Sequence, residues 1–245
     1  MFEALLLAAL LQSPPAAGAA PSPVATADRA LLARTDPFGR APKESRSRLA
    51  VRAGGKAVAL EIWRRGDRAL VRFLDPAEKG KYILRLAEGT YFIAPGARQP
   101  IRLPPGHRLA GAVALDELLG VPLEANYEIG AVTRRDPSSA VVEFDLRGTS
   151  KSLAYPRLRW VVDEKAQLPL RADLQLADGR VARVLEWKTW RDRAALQPGA
   201  IVIKDVLRQD APAEVEVIEF ESRQVPAELF SLTDPSARSA LPPPT

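Results

Sequence analysis

The chain has no cysteine and a single histidine, His107, in 245 residues. Without thiols there are no disulfides, no thiolate nucleophile, no cysteine-based zinc site and no acylated cysteine at a mature N-terminus. One histidine cannot build a multi-histidine metal centre. No G-x-S-x-G elbow, H-E-x-x-H helix or D-x-D-x-D-G loop supplies its missing partners. His107 follows Pro-Pro-Gly and reads as a surface or capping residue, and Asp75-Pro76 with Glu78 reads as a polar turn. No catalytic residue, cofactor or metal is therefore expected, and the chain is not read as an enzyme. Long apolar runs are also missing. The longest clear run, Ala4 to Leu11, is too short to span a bilayer as a helix, which takes about 20 residues.

That run has a different use. Followed by Ala17-Gly18-Ala19, it matches the apolar segment and small-residue cleavage site of an export signal, although no Lys or Arg precedes it. Residues 1–19 are read as a signal peptide and 20–28 as a Pro/Ala/Ser linker. The mature protein is then periplasmic and not lipid-anchored. The net charge of +5 is spread along the chain. It describes a solvated surface rather than a nucleic-acid patch, which would need clustered cations or a recognition motif.

What the chain has in quantity is alternation. From about residue 46, apolar and polar residues alternate over short runs separated by turn signals every 8–12 residues, roughly. Val58, Leu60 and Ile62 oppose Glu61 and Trp63, and Ala69, Val71 and Phe73 oppose Leu70 and Arg72. Tyr82, Leu84 and Leu86 oppose Ile83 and Arg85, and Tyr91 and Ile93 continue the series. Turns fall at Gly54-Gly55, Gly66-Asp67 and Gly89, with Asp178-Gly179 the strongest type I′ signal. This spacing belongs to consecutive hairpins, so the fold is mainly β with one antiparallel sheet. Further strands are expected near 125–134, 140–147, 154–163, 168–177, 180–191, 199–209 and 212–223. Trp63, Trp160, Trp187 and Trp190 all fall in strands, and Trp187 and Trp190, three apart, should face opposite ways. A short helix is expected over 26–34. A second, at His107–Leu119, is flanked by Pro104-Pro105 and Gly120. Residues 233–245 are expected to be a disordered tail.

A sheet of about a dozen strands must curl, into a closed or a partly open barrel. Its apolar face is either self-filled or forms a cavity suited to an acyl chain. The run Arg68 to Leu84, with its Phe73-Leu-Asp-Pro76 and Gly80, resembles the LolA-like outer-membrane lipoprotein-sorting proteins. Tyr91-Phe-Ile-Ala-Pro95 with Pro100-Ile-Arg-Leu103, Leu158-Arg-Trp-Val-Val-Asp163 with Leu168-Pro169, and Val225-Pro-Ala-Glu-Leu-Phe230 follow in the family's order. The Tyr91 hairpin departs from the usual aromatic pair, so cargo identity does not carry over. The resemblance covers 29–232 and implies an open half-barrel with helices at its mouth, acting as a carrier of lipid or lipoprotein acyl chains. It implies an inner-membrane exporter and an outer-membrane acceptor as partners, and a monomer. Candidate ligand-binding residues are Leu60, Ile62, Val71, Phe73, Leu84, Tyr91, Ile93 and Trp160 on the sheet. Leu109, Val113, Leu115 and Leu118 join them if helix 107–119 acts as a lid rather than a fixed cap. Two other readings are an accessory module of an envelope exporter with no ligand of its own, and a lipid-acting hydrolase. The lone histidine counts against the second.

Overall fold

The structure is a computed structural model and describes residues 23–110, 113–134, 138–208, 210–234 and 236–241. The expected signal segment lies outside the described residues. Helix α1 (Pro23–Arg34) begins inside the stretch expected to be linker, where a proline's missing N–H is harmless in a first turn. Thr35 ends it, donating from both its amide and its hydroxyl to the Leu31 carbonyl, and Pro37 prevents continuation.

Strands β1 (Glu44–Ala53), β2 (Lys56–Arg65), β3 (Arg68–Phe73), β4 (Tyr82–Leu86), β5 (Gly89–Ile93) and β6 (Ile101–Leu103) form a meander that steps outward from the centre of the sheet. A second meander returns from the far edge. It comprises β9 (Tyr127–Thr133), β10 (Val141–Gly148), β11 (Arg157–Asp163), β12 (Leu168–Gln175), β13 (Val181–Asp192), β14 (Gln197–Asp205) and β15 (Ala213–Ser222). β15 pairs with β1, giving one antiparallel 13-stranded sheet. β6 and β9 are its two unpaired edges, so the sheet is open, not a closed barrel.

The link between those edges, residues 104–126, passes over the concave face. It holds the hairpin β7 (Arg108–Ala110) and β8 (Val113–Ala114), then the short helices α2 (Leu115–Leu119) and α3 (Leu123–Asn126). The single helix expected over 107–119 is thus replaced by a hairpin and one and a half helical turns. Gly111 weakens a continuous helix by about 1 kcal/mol. The helix starts instead at Leu115, where Asp116 and Glu117 sit in the first turn and complement its dipole. The Glu117 carboxylate accepts the Ala114 amide at 2.7 Å, which is half a capping box, since alanine has no acceptor to return the bond.

The turns also differ from expectation in one place. Gly54 and Gly55 both have positive φ, 55° and 78°, and close the β1–β2 hairpin as a type I′ turn requires. At Asp178-Gly179 only Gly179 is left-handed, at 85°. The Leu176 carbonyl accepts the Gly179 amide at 2.9 Å, which makes a type I turn with a glycine bulge.

Each face of the sheet carries a buried apolar cluster. The concave core contains Leu49, Leu60, Ile62, Val71, Phe144, Trp160, Trp187 and Ile203, closed by Leu31 and Leu32 of α1 and by Leu115, Leu119 and Leu123 of the crossover. Trp160 and Trp187 pack edge to face, 4.9 Å between centroids and 73° between planes. Trp190 also packs against this core, because three register shifts in β13 between Trp187 and Asp192 reset the alternation. On the convex face Trp63, Leu70 and Leu84 are buried beneath Val225, Leu229 and Phe230, the last two in a 3-10 turn at Ala227–Phe230. The expected tail continues this cover. A short helix α4 (Ser236–Ser239) buries Arg238, which donates to the Leu229 and Ser231 carbonyls, while residues 242–245 lie outside the described residues.

Candidate functional site: a roofed trough

The concave face is roofed by two segments, the loop 35–43 after α1 and the 104–126 crossover. Asp36 holds them together. One of its carboxylate oxygens accepts the Phe38 amide at 2.9 Å, and the other accepts the Leu123 amide at 2.7 Å, at the start of α3. Burial raises the Asp36 carboxyl above its ordinary value despite those amide donors.

A buried ionic chain fixes α2 to the sheet floor. Glu117 is only 4% exposed and accepts from the Tyr155 hydroxyl at 2.8 Å and Arg183 Nε at 3.0 Å. Arg183 also pairs with Asp205 at 2.6 Å, and Asp205 with Arg108 at 2.5 Å. Desolvation pushes the Glu117 carboxyl up, and burial with the adjacent Glu117 charge pushes the Tyr155 hydroxyl up. Nearby Tyr127 is pushed up to about 12, chiefly by burial. Breaking one member of such a chain leaves a buried charge unpaired, which costs about 3–5 kcal/mol.

Two cavities lie under this roof. The smaller, about 120 Å3, is floored by Leu49, Ile62, Ile203 and Val215 and closed by Phe38, Leu118 and Leu196. The larger, about 880 Å3, runs beneath α2 and α3 to Trp160, Leu174 and Leu185. Phe38, Ala41, Pro42, Arg64 and Glu117 border both. Arg64 donates to the Leu119 carbonyl at 2.6 Å, and its pKa is pushed down to about 10, first by burial and then by the neighbouring Arg85.

Of the residues expected from sequence, Ile62 and Leu118 line the smaller cavity and Trp160 the larger. Leu60, Val71, Val113 and Leu115 are buried in the concave core beside them, and Phe73 and Leu109 are partly buried against it. Leu84, Tyr91 and Ile93 are not brought to this site. Leu84 is in the convex cluster, Ile93 packs on that cluster, and Tyr91 lies directly opposite Leu84. In β4 and β5 it is Ile83 and Phe92 that face the trough. Alternation separates the faces but does not say which is concave. Phe38, Arg64, Glu117, Tyr155 and Arg183 were missed. The Asp36-Pro37-Phe38-Gly39 turn was a readable signal for the first, whereas the ionic chain joins residues 66 positions apart and left none.

Three carboxylates at or beside the cavities, Asp36, Asp116 and Glu117, are engaged in structural bonds. Asp116 pairs with Arg85 at 2.5 Å and accepts the Gly106 amide at 2.7 Å, and Asp36 and Glu117 hold backbone amides. Among the described residues no cluster of metal-ligating side chains forms, and no helix is long and apolar enough to cross a membrane.

Comparison with known proteins places this architecture. A family model described as an uncharacterized protein matches residues 65–234. A LolA superfamily protein from Nitrosomonas europaea has a similar structure, with a TM-score of 0.69 at 18% identity over 83% of this chain and 96% of that one. A DUF1329 family protein from Desulfovibrio piger is similar at TM-score 0.62 and 16% identity, over 85% and 97% of the two chains. An outer membrane lipoprotein-sorting protein domain from Vibrio parahaemolyticus is similar at TM-score 0.61 and 12% identity, over 84% and 94%. No curated protein matches the chain.

Proposed function

Because the chain belongs to the family whose model spans residues 65–234 and has a LolA-like fold, we propose that it is a periplasmic carrier that shelters acyl chains of lipids or lipoproteins in the roofed trough. The observation that carries this reading is the opening of about 880 Å3 beneath the crossover, bordered by a second, apolar one. Sites for small ligands occupy roughly 300–1,000 Å3. A curled sheet with a self-filled interior would leave no such space. Each buried methylene is worth about 0.8 kcal/mol, so a sixteen-carbon chain gains on the order of 10 kcal/mol before ordering costs are deducted. The smaller cavity is the deep end of the trough, closed by Phe38 and Leu118 until cargo displaces them. Residues 1–19 direct export, and the cargo passes from an inner-membrane exporter to an outer-membrane acceptor. The role is binding rather than catalysis, which accords with the structural bonds of the cavity carboxylates.

The test is direct. Protein purified from the periplasm is extracted with organic solvent and the extract analysed by mass spectrometry, and uptake of N-phenyl-1-naphthylamine is followed by fluorescence. Co-purifying lipid and saturable dye uptake are expected. Leu118→Asp, which places a carboxylate among Ile62, Ile203 and Val215, should abolish uptake while the circular dichroism of the sheet persists. Absence of both lipid and dye binding in the wild type, or wild-type uptake by Leu118→Asp, would overturn the reading.

A further inference from the structure

The lining of the larger cavity combines apolar residues with polar and charged ones, Asn126, Ser152 and Tyr155 among them. Its far wall is apolar, with Leu158, Trp160, Leu174 and Leu185. The lining also includes Lys43, Arg64, Arg68 and Arg85, but Arg68 pairs across β2 and β3 with Arg65, which donates to the Val225 carbonyl of the convex cover, so its side chain belongs to the other face. Arg85 is neutralised by Asp116 at 2.5 Å. Among the described residues no carboxylate oxygen comes within 4.0 Å of the cationic atoms of Lys43, Arg64 or Arg68. The third acidic group on the rim, Glu117, is committed to Arg183. That leaves Asp67, in the exposed β2–β3 turn, as the one carboxylate on the cavity lining for Lys43 and Arg64. Arg64 uses one N–H on the Leu119 carbonyl and has four more. It stands where the two cavities meet, so its charge lies beside an apolar interior rather than in open water.

A desolvated guanidinium is costly, and the neighbouring Arg85 adds repulsion that Asp67 opposes only in part. A bound anion would remove both penalties. Burial, then Arg85, depresses the Arg64 pKa, and Asp67 opposes them. The apolar wall lies directly beyond, so the anion and an acyl chain can belong to one molecule.

We propose that Arg64, with Lys43 on the same cavity lining, forms a headgroup site for an anionic amphiphile, a phosphate-bearing lipid whose acyl chain occupies the trough. This rests on the carrier reading and narrows it to anionic cargo. Arginine is suited to the task because its planar fork can donate two hydrogen bonds to one phosphate.

The experiment compares two ligands with the same chain, 1-palmitoyl-lysophosphatidylglycerol and 1-palmitoylglycerol. Both are kept below their micelle-forming concentrations, and each is titrated against protein loaded with N-phenyl-1-naphthylamine. Charge-assisted bonds to a phosphate predict that the anionic lipid displaces the dye at concentrations at least about tenfold lower. Raised salt should shrink that ratio. Arg64→Gln and Lys43→Gln should each bring it toward one, and Arg64→Lys should restore part of it. The Lys43 variant guards against an Arg64 variant that disturbs α2 through Leu119. Equal displacement by both lipids, with a ratio unmoved in the variants, overturns the headgroup site and leaves the carrier reading standing. Displacement by neither overturns both.

Discussion

At Gly120 the backbone turns with φ of 57° at the end of α2, and a β-carbon built there would lie 2.1 Å from the Phe38 ring. Gly120→Ala therefore combines left-handed strain with overpacking, each costing about 1–3 kcal/mol. For a domain of this size about 2–4 °C is lost per kcal/mol. Thermal melting should show a fall of roughly 4–24 °C, partly recovered by adding Phe38→Leu. Because Phe38 borders both cavities, dye affinity should change as well. An unchanged Tm would mean that the loop 35–43 yields freely. Glu117 permits a prediction in pH. Its carboxyl is raised above the ordinary 4.5 by burial, so between 4.5 and its native value the folded state binds more protons than the unfolded state. Stability then falls as pH rises through that window and returns as pH drops toward 4.5. Glu117→Gln removes this titration. The wild-type Tm minus the variant Tm should climb as pH is lowered from 7.5 to 4.5, as followed by differential scanning fluorimetry. A flat difference would show that the Ala114, Tyr155 and Arg183 donors keep the carboxylate ionised throughout.

Among the elements, the crossover and the C-terminal cover were the least legible in the sequence. Strands β9 to β15 fall close to the expected ranges because their period-2 pattern is long and bounded by turns. The crossover is too short for period to decide. Leu109, Val113 and Leu115 fit a helical face, yet Leu109 and Val113 also fit the hairpin that forms. What decides is tertiary, since Val113 and Leu115 reach the concave core from this geometry. Residues 233–245 read as a tail because Pro and Ser are frequent there, but Ala237 and Leu241 pack on the convex cluster that holds Leu229 and Phe230. That surface was visible as Trp63, Leu70 and Leu84, but alternation could not say that it needed a lid. Phe230→Ala should cost about 3–5 kcal/mol, like other buried aromatic truncations, and lower Tm by roughly 6–20 °C. Dye uptake measured well below that Tm should match the wild type, because the convex cluster is separated from the trough by the sheet. Loss of uptake in a folded Phe230→Ala protein would mean that the two faces are coupled.

Over the whole molecule, the open, curled antiparallel sheet was readable from turn spacing, strand number and the order of the matching motifs, while the choice of inner face was not. The inner face is set by where the chain returns. Residues 104–126 cross from the β6 edge to the β9 edge, and whichever side they take becomes the roofed one. Tyr91 and Ile93 were expected in the cavity because nothing local distinguishes their face from that of Phe92. This arrangement also predicts how binding acts on stability. Cargo held between roof and sheet contacts both meanders, so it binds the folded chain and not the unfolded one. At a ligand concentration one hundred times Kd, the folded state gains about 2.7 kcal/mol. At about 2–4 °C per kcal/mol, saturating 1-palmitoyl-lysophosphatidylglycerol should raise Tm by roughly 5–11 °C. The rise should scale with the logarithm of lipid concentration and vanish in Leu118→Asp. A lipid that displaces the dye yet leaves Tm unchanged would be binding the unfolded chain equally well, and the roofed trough would not be its site.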